Sequence, residues 1–306
     1  MVRAAATIRR FLFAVLVALP VWSCDDQGGQ DYQPTYTIKS AVPNQDYRVG
    51  CPFSTPEMLF AVYQPMIDYL NARLGGPRLA LEAARDYEAF EQKLYYRNFD
   101  FALANPYQTV MAVTNGFRIF AKMAPDDGAY GMILVRKDST IGAVADLKGK
   151  TISYPATSAL ASTMLPQDFL HQSGLDVQAD LDNRYVGSEE SSILSVYLGR
   201  AAAATTWPLA WTRFSRDDPA KAAQLVVKWR TRTLPNNAWV ARDDVPAEVV
   251  DKVGALLAGM ADDEEGRKVL AHMQVVRFEP ASDQTYQPVQ EFLHYFNANV
   301  RPVALP

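Results

Sequence analysis

The chain has 306 residues, of which 49% are hydrophobic and 21% charged, a composition typical of a globular protein long enough for two modest lobes. Its formal net charge is only −4, and no basic stripe interleaved with aromatic residues occurs. The sequence is therefore not that of a general nucleic-acid binder, and we expect no nucleic-acid partner.

The N-terminus has the pattern of an export signal. Basic residues between Arg3 and Arg10 precede an apolar run at residues 11–21, which is too short to span a bilayer comfortably. The run ends in the sequence Val-Trp-Ser-Cys, which resembles a bacterial lipobox. We expect a signal peptide at residues 1–23, cleavage before Cys24 and acylation of that cysteine, with ordinary cleavage nearby as the alternative. Both predict a protein of the periplasm or cell envelope, and the first predicts anchoring to the membrane.

The segment after the lipobox reads as a tether. Residues 24–45 are polar and rich in Gln, Asp, Tyr and Pro, a composition typical of a linker. If Cys24 is acylated, Cys51 is the only other cysteine, so no intramolecular disulfide is expected. We expect Cys51 to be a buried, inert thiol.

Catalysis and metal binding find little support in the sequence. The three histidines, His171, His272 and His294, have no catalytic or metal-ligand spacing. The adjacent acids Glu189 and Glu190 would point in different directions on a helix, which makes a poor acid–base pair. We therefore expect no enzyme activity, no metal site and no cofactor.

Strands and helices alternate along the first half of the mature chain. A strand at 47–51 precedes a helix that begins at Thr55-Pro56, because a hydroxyl N-cap followed by proline favours a helix start. That helix ends at Gly75-Gly76. The next predicted elements are a strand at 79–83, a helix at 86–95, a buried strand at 99–103, a helix starting at 105–107, and strands at 117–123 and 131–136.

A second unit begins at residue 146. Its predicted elements are strands at 151–154, 183–186, 201–206, 226–229 and 238–241, and helices at 159–170, 189–198, 247–260, 263–271 and 287–297. The part of the chain after residue 246 reads as helical throughout. The alternation predicts βαβ units and mainly parallel sheets flanked by helices.

A series of short stretches suggests a family. They are Arg48–Gly50, Tyr63–Pro65 through Tyr69-Leu70, Asp86-Tyr87, Asp100–Ala102 leading to Asn105–Tyr107, Val135–Ser139, Asp146–Lys150, Leu234–Asn237, and Tyr286 with Pro288-Val289. In order and spacing they resemble the phosphate, phosphite and phosphonate-type substrate-binding proteins of ABC importers. The resemblance covers nearly the whole mature chain.

This resemblance implies an α/β protein with the two-lobed fold of type II periplasmic binding proteins, its ligand cleft between the lobes. The first lobe would combine residues 46–137 and 229–306, and the second would be residues 138–228. The implied partners are a small-molecule ligand, which closes the lobes about a hinge, and an ABC permease in the membrane. An input protein for a histidine kinase or chemoreceptor, built on the same fold, is the alternative.

The loops at helix starts are the candidate ligand site, because ligands of open α/β sheets bind beyond the carboxyl ends of strands and near helix N-termini. Thr157 and Ser158 are expected to form an anion cradle, with plain helix capping as the alternative. Tyr107 and Tyr130 correspond to aromatic cleft positions in the resembled family, with packing as the alternative. The predicted ligand-binding residues are Asn105, Tyr107, Tyr130, Thr157, Ser158, Ser188, Glu189, Thr206 and Trp207.

Three positions depart from the phosphonate-binding pattern. The family has a Ser-Thr-Ser-Gly-like turn where this chain has residues 156–159, and a histidine after Gly-Ser where this chain has Glu189. An ionised glutamate would repel an anion there, unless it only favours the helix dipole. The family has an acidic residue for an amine where this chain has Thr206 and Trp207. We expect a phosphorus oxyanion as ligand, with a non-phosphorus organic compound as the alternative.

Overall fold

The computed structural model describes residues 46–51 and 56–306. The predicted signal peptide, lipidation site and tether lie outside these residues. In the described part, no helix is long and apolar enough to cross a membrane.

The secondary structure alternates as the sequence predicts. The strands are β1 Asp46–Gly50, β2 Arg78–Leu81, β3 Phe101–Ala104, β4 Phe117–Ala124, β5 Tyr130–Arg136, β6 Thr151–Tyr154, β7 Asp182–Tyr185, β8 Ala203–Thr206, β9 Leu225–Thr233, β10 Ala238–Arg242 and β11 Arg277–Pro280. The α-helices are α1 Pro56–Leu74, α2 Tyr87–Tyr95, α3 Pro106–Thr114, α4 Leu165–Gln172, α5 Glu189–Tyr197, α6 Pro208–Asp217, α7 Pro219–Ala222, α8 Ala247–Gly259, α9 Glu264–Met273 and α10 Gln287–Asn299.

Four segments differ from the predicted elements. The helix predicted at 159–170 is a π-helical turn at Leu160–Met164 that continues into α4. Helices α6 and α7 were not predicted, and β11 falls in a part of the chain that reads as helical. Strand β11 is a four-residue edge strand ending in Pro280, which is too short to show an alternating pattern and is typical of an edge position.

The strands form two sheets. The first has the order β11-β4-β10-β3-β1-β2, and the second has the order β7-β6-β8-β5-β9. Each is flanked by helices, which gives the predicted two-lobed α/β architecture. The sheets are mixed, not mainly parallel: β1 is parallel to β2 and β3, and β6 is parallel to β7 and β8, whereas β10 and β5 are antiparallel to their neighbours.

The two crossings between the sheets explain the antiparallel pairs. The chain leaves the first sheet along β4 and returns along β10, so these neighbouring strands run in opposite directions. In the same way it enters the second sheet along β5 and leaves along β9. By sheet membership, the second lobe runs from Tyr130 to Thr233, which is several residues wider at each end than the predicted limits of 138 and 228.

Strand β10 lies at the centre of the first sheet and is buried on both faces. Trp239 and Ala241 pack into the cluster with residues of α1, α8 and α9. Ala238 and Val240 point to the other face and pack with residues of α3 and α10. The alternation of a strand's side chains therefore supplies both layers of this lobe's core.

A polar cluster holds the two crossings together. Lys122, at the end of β4, has only 5% of its side chain exposed, and its Nζ lies 2.7 Å from Asp126 and 2.8 Å from Glu279. Asp126 in turn accepts a hydrogen bond of 2.9 Å from the backbone N–H of Asn236 in the returning crossing. The Tyr286 hydroxyl donates to the carbonyl of Asn236. One buried cation therefore anchors both connections at the base of the lobes.

We expect Lys122→Met to lower the free energy of unfolding by about 2 kcal/mol in urea denaturation, because it leaves two half-buried carboxylates without their counter-charge. Lys122 lowers the pKa of Glu279, so that carboxylate contributes stability that is lost as the pH falls through its folded pKa. The difference in the free energy of unfolding between the wild type and Lys122→Met should therefore become smaller as the pH is lowered. The control Lys268→Met removes an exposed pair with Glu264 and should change stability by less than about 0.5 kcal/mol. Equal effects of the two variants would contradict this role for Lys122.

Candidate ligand-binding cleft

A cavity of about 280 Å³ lies between the two sheets, close to the lower end of the range of about 300–1,000 Å³ that small-molecule sites occupy. Both lobes contribute to it. From the first lobe it is lined by Met58, Tyr63, Tyr87, Asn105, Pro106 and Asn237. From the second lobe it is lined by residues 159–162 and 188–190, Ile193, Trp207, Leu209, Ala210, Arg213, Phe214, Asp217 and Asp218.

Four helices begin at this cavity. Helix α2 has the acidic N-cap Asp86, whereas α3, α5 and α6 have uncharged N-caps. Helix α3 starts with a capping box, in which Asn105 accepts from the N–H of Gln108 at 3.1 Å and the Gln108 side chain accepts from the N–H of Asn105 at 3.1 Å. At the start of α5, Ser188 accepts from the N–H of Ser191 at 3.1 Å. Helix α6 follows its N-cap Trp207, which makes no side-chain capping hydrogen bond. The positive ends of the three helix dipoles with uncharged caps thus converge on one space, an arrangement that attracts an anion.

Glu189, the first residue of α5, presents its carboxylate in the cavity wall. It accepts hydrogen bonds from the hydroxyls of Ser162 at 2.7 Å and Thr206 at 3.1 Å. The Tyr87 hydroxyl of the first lobe lies at 3.5 Å. Glu189 therefore joins the π-helical turn, the end of β8 and the start of α2, and it spans the two lobes.

No Lys or Arg among the described residues forms an ion pair with Glu189. Burial raises the pKa of Glu189 to about 7, although the three hydroxyl bonds oppose that shift. Two other acids on the cavity wall are paired: Asp217 with Arg216 at 2.8 Å, and Asp218 with Lys221 at 2.6 Å. Glu189 is thus an acid in the wall whose protonation can change near neutral pH.

Most of the remaining wall is apolar or aromatic. Leu160, Ile193 and Phe214 contribute aliphatic and aromatic surface from the second lobe, and Met58 and Tyr63 contribute it from the first. A few polar groups within an apolar wall are typical of sites for small organic molecules.

The structure brings five of the nine predicted site residues together. Four of them line the cavity: Asn105, Ser188, Glu189 and Trp207. The fifth, Thr206, does not line it but donates a hydrogen bond to Glu189. The other four, Tyr107, Tyr130, Thr157 and Ser158, do not line it. The roles of all nine residues as ligand contacts remain predictions.

Thr157 and Ser158 lie where the lobes meet. Ser158 is buried, and its carbonyl accepts a hydrogen bond of 3.2 Å from the Asn105 side chain. The carbonyl of Thr157 accepts one of 2.6 Å from Arg301, near the C-terminus. Burial raises the pKa of the Glu91 carboxyl, and a hydrogen bond from the Ser158 side chain partly opposes that shift. In this conformation the turn predicted as an anion cradle ties the second lobe to the first.

The two predicted tyrosines occupy other surroundings. Tyr107 is buried in α3, where burial first and then the nearby Glu91 raise its pKa. Tyr130 is half-buried at the start of β5, with the guanidinium of Arg230 at 5.8 Å from its ring centroid.

The cavity residues that sequence reasoning missed include Tyr87, Ser162 and Arg213. Tyr87 follows the N-cap Asp86 and is the first residue of a helix that starts at the cleft, so its position at a helix start was the available signal. Ser162 lies beyond the predicted loop, within the π-helical turn at Leu160–Met164. Arg213 lies on α6, a helix that was not predicted. Within the described residues, no group of three or more His, Cys, Asp or Glu side chains is arranged to hold a metal ion.

Comparison with known proteins gives a consistent result. Residues 50–286 match the model of a family described as the periplasmic substrate-binding protein of a phosphonate ABC transporter. The "Phosphate-import protein PhnD" of Mycolicibacterium smegmatis is 25% identical over 278 residues, which cover 83% of each chain.

Two solved structures are similar in fold. A binding protein component of an ABC phosphonate transporter from Pseudomonas aeruginosa has a TM-score of 0.76 at 20% identity, over 83% of this chain and 87% of that one. PhnD1 from Prochlorococcus marinus, in complex with methylphosphonate, has a TM-score of 0.75 at 16% identity, over 83% of this chain and 99% of that one.

Proposed function

The chain belongs to the family of periplasmic substrate-binding proteins of phosphonate ABC transporters, and from that premise we propose that its cavity captures a phosphorus oxyanion carrying a small organic substituent. The family consists of substrate-binding components of transporters, not of enzymes. Its members hand their ligand to a membrane permease. The fold is that of type II periplasmic binding proteins.

The observation that carries this proposal is the convergence of three helix starts on one enclosed space. Helix α3 comes from the first lobe, and α5 and α6 come from the second. An oxyanion between them contacts both lobes, so it stabilises the closed arrangement over an open one. The apolar wall around Leu160 and Phe214 suits an organic substituent on phosphorus.

The test is a calorimetric and thermal-shift titration of the purified protein with methylphosphonate, ethylphosphonate, phosphite and phosphate. We expect a phosphonate to bind and, at about 100 times its dissociation constant, to stabilise the protein by about 2.7 kcal/mol. If no phosphorus oxyanion binds while a nitrogenous organic compound does, the proposed ligand class is wrong.

We also propose that Cys24 is the lipid anchor, on the strength of the Val-Trp-Ser-Cys sequence that ends the apolar run. In cells, Cys24→Ser should move the protein from the membrane fraction to the soluble fraction, because a diacyl anchor is lost. The control Cys51→Ser changes a buried thiol and should leave the protein in the membrane fraction. An unchanged distribution of Cys24→Ser would contradict the anchor.

A further inference from the structure

The Glu189 carboxylate can accept more hydrogen bonds than the protein donates to it. Its Oε1 accepts from Ser162 and Tyr87, and its Oε2 accepts from Thr206. An ionised carboxylate offers about four acceptor positions and no donor. Because Glu189 lines the cavity, the remaining position is available to a bound ligand only if that ligand supplies a hydrogen.

An anion bound at the start of α5 lies against Glu189, because the first residue of that helix carries the carboxylate. Two negatively charged oxygens in contact repel each other, and in an enclosed site with little water this repulsion is strong. The contact becomes favourable when one proton lies between the two oxygens, which gives a short, charge-assisted hydrogen bond.

We propose that Glu189 and the bound oxyanion share one acidic proton, which lies between the Glu189 carboxylate and an oxygen of the ligand. A fully ionised ligand then binds to the ionised site with the uptake of one proton. This inference rests on the proposed function, since it concerns the same site and the same ligand class.

The groups around Glu189 are compatible with a shared proton. Burial raises the pKa of Glu189 to about 7, and the pKa of Tyr87 lies well above its usual value, so that hydroxyl remains a donor. Tyr63 faces the same space from α1, and burial raises its pKa as well. The charged groups on the wall are Glu190 beside it on α5, and Arg213, Asp217 and Asp218 on and after α6.

The shared proton predicts how the affinity for a phosphonate changes with pH. At a pH above the pKa of both Glu189 and the ligand's last P–OH, both groups are ionised and binding must take up one proton. Affinity for a phosphonate should then fall about tenfold for each pH unit. Between the two pKa values one proton is already present, so the dependence should be shallow. Below both pKa values each group carries a proton, so binding must release one and affinity should fall again on acidification.

The test is calorimetric titration of the purified protein with methylphosphonate and methanesulfonate, between about pH 6 and about pH 9. Buffers of different ionisation enthalpy report the protons taken up. We expect about one proton per methylphosphonate at the alkaline end. Methanesulfonate should also take up about one proton there, because the sulfonate has no proton of its own and only a protonated Glu189 can donate to it.

Two variants separate this role from a general effect of charge. Glu189→Gln keeps the shape of the side chain and can donate to a fully ionised oxygen. It should abolish the proton uptake and the fall in affinity at alkaline pH. The control Glu248→Gln removes one negative charge from the first turn of another helix, α8, outside the cavity, and should leave both in place.

The outcomes distinguish this inference from the proposed function. If methylphosphonate binds without proton uptake at the alkaline end, the shared proton is wrong and the proposed function stands. If 2-aminoethylphosphonate and 2-aminoethanesulfonate bind alike while methylphosphonate does not, an ammonium group faces Glu189 and the inference is overturned. If no phosphorus compound binds, the proposed function itself fails.

Discussion

Replacing Ala210 with tryptophan should abolish ligand binding while leaving the fold intact. Ala210 lies in the first turn of α6 and lines the cavity, so an indole at this position occupies the space in which the ligand would lie. We expect the affinity for methylphosphonate to fall by at least about 100-fold in calorimetric titration, because an excluded ligand loses most of its contacts. Circular dichroism should remain that of the wild type.

Ala247→Trp is the matched control. Ala247 is the first residue of α8, is exposed and lies outside the cavity, so it presents an equally large side chain from the first turn of another helix. The affinity of the Ala247→Trp variant for methylphosphonate should stay within about twofold of that of the wild type. If Ala210→Trp binds methylphosphonate as the wild type does, the ligand does not occupy this cavity.

Replacing Trp239 with alanine should cause the largest loss of stability. Trp239 is fully buried at the centre of β10, next to Leu103 and Ala121 on the neighbouring strands and with the Phe120 ring at 6.3 Å. Removing the indole leaves a cavity between the sheet and its helices. We expect a loss of about 3–5 kcal/mol in the free energy of unfolding, measured in urea.

A second tryptophan provides the comparison. Trp229, on β9, is only half-buried, so Trp229→Ala should cost clearly less than Trp239→Ala. Equal losses in the two variants would contradict the expectation that the fully buried indole of Trp239 contributes more to stability than the half-buried indole of Trp229.

The sequence predicts the fold well where local chemistry and tertiary structure agree. Helix α1 begins at Pro56 and ends before Gly75 and Gly76, both of which have positive φ angles of 62° and 135°. The pattern at the start of α3 is equally local, because Asn105 and Gln108 cap each other. Such signals lie within a few residues of one another and need no knowledge of the rest of the chain.

Features set by distant contacts could not be predicted in the same way. The antiparallel pairing of β10 with β3 and β4 follows from the path of the chain between the sheets, not from its own five residues. Strand β11 is stabilised by its pairing with β4, although it follows a helical stretch. Local propensity is easily overridden in such short elements.

The candidate site shows the same difference between features set by local sequence and features set by distant contacts. Asn105 and Ser188 were predicted because a helix start in an α/β protein can be read from the sequence, and both line the cavity. Ser158 satisfies the same local criteria, yet it is buried against Asn105 at the contact between the lobes. The sequence identifies helix starts but does not tell which of them face the ligand.

Two of the departures from the phosphonate-binding pattern prove to be connected. Glu189 stands where the resembled family has a histidine, and Thr206 stands near the position where it has an acidic residue. In this protein the Thr206 hydroxyl donates to the Glu189 carboxylate at 3.1 Å. The residues at these two positions therefore form one hydrogen-bonded unit.

The most direct test of ligand capture in this cleft is a crystal structure of the protein grown with methylphosphonate. We predict that the phosphorus lies in the cavity at the starts of α3, α5 and α6, with one oxygen within hydrogen-bond distance of Glu189. A ligand bound instead at the turn of Thr157 and Ser158, with the cavity empty, would contradict the assignment of the site and the role of Glu189.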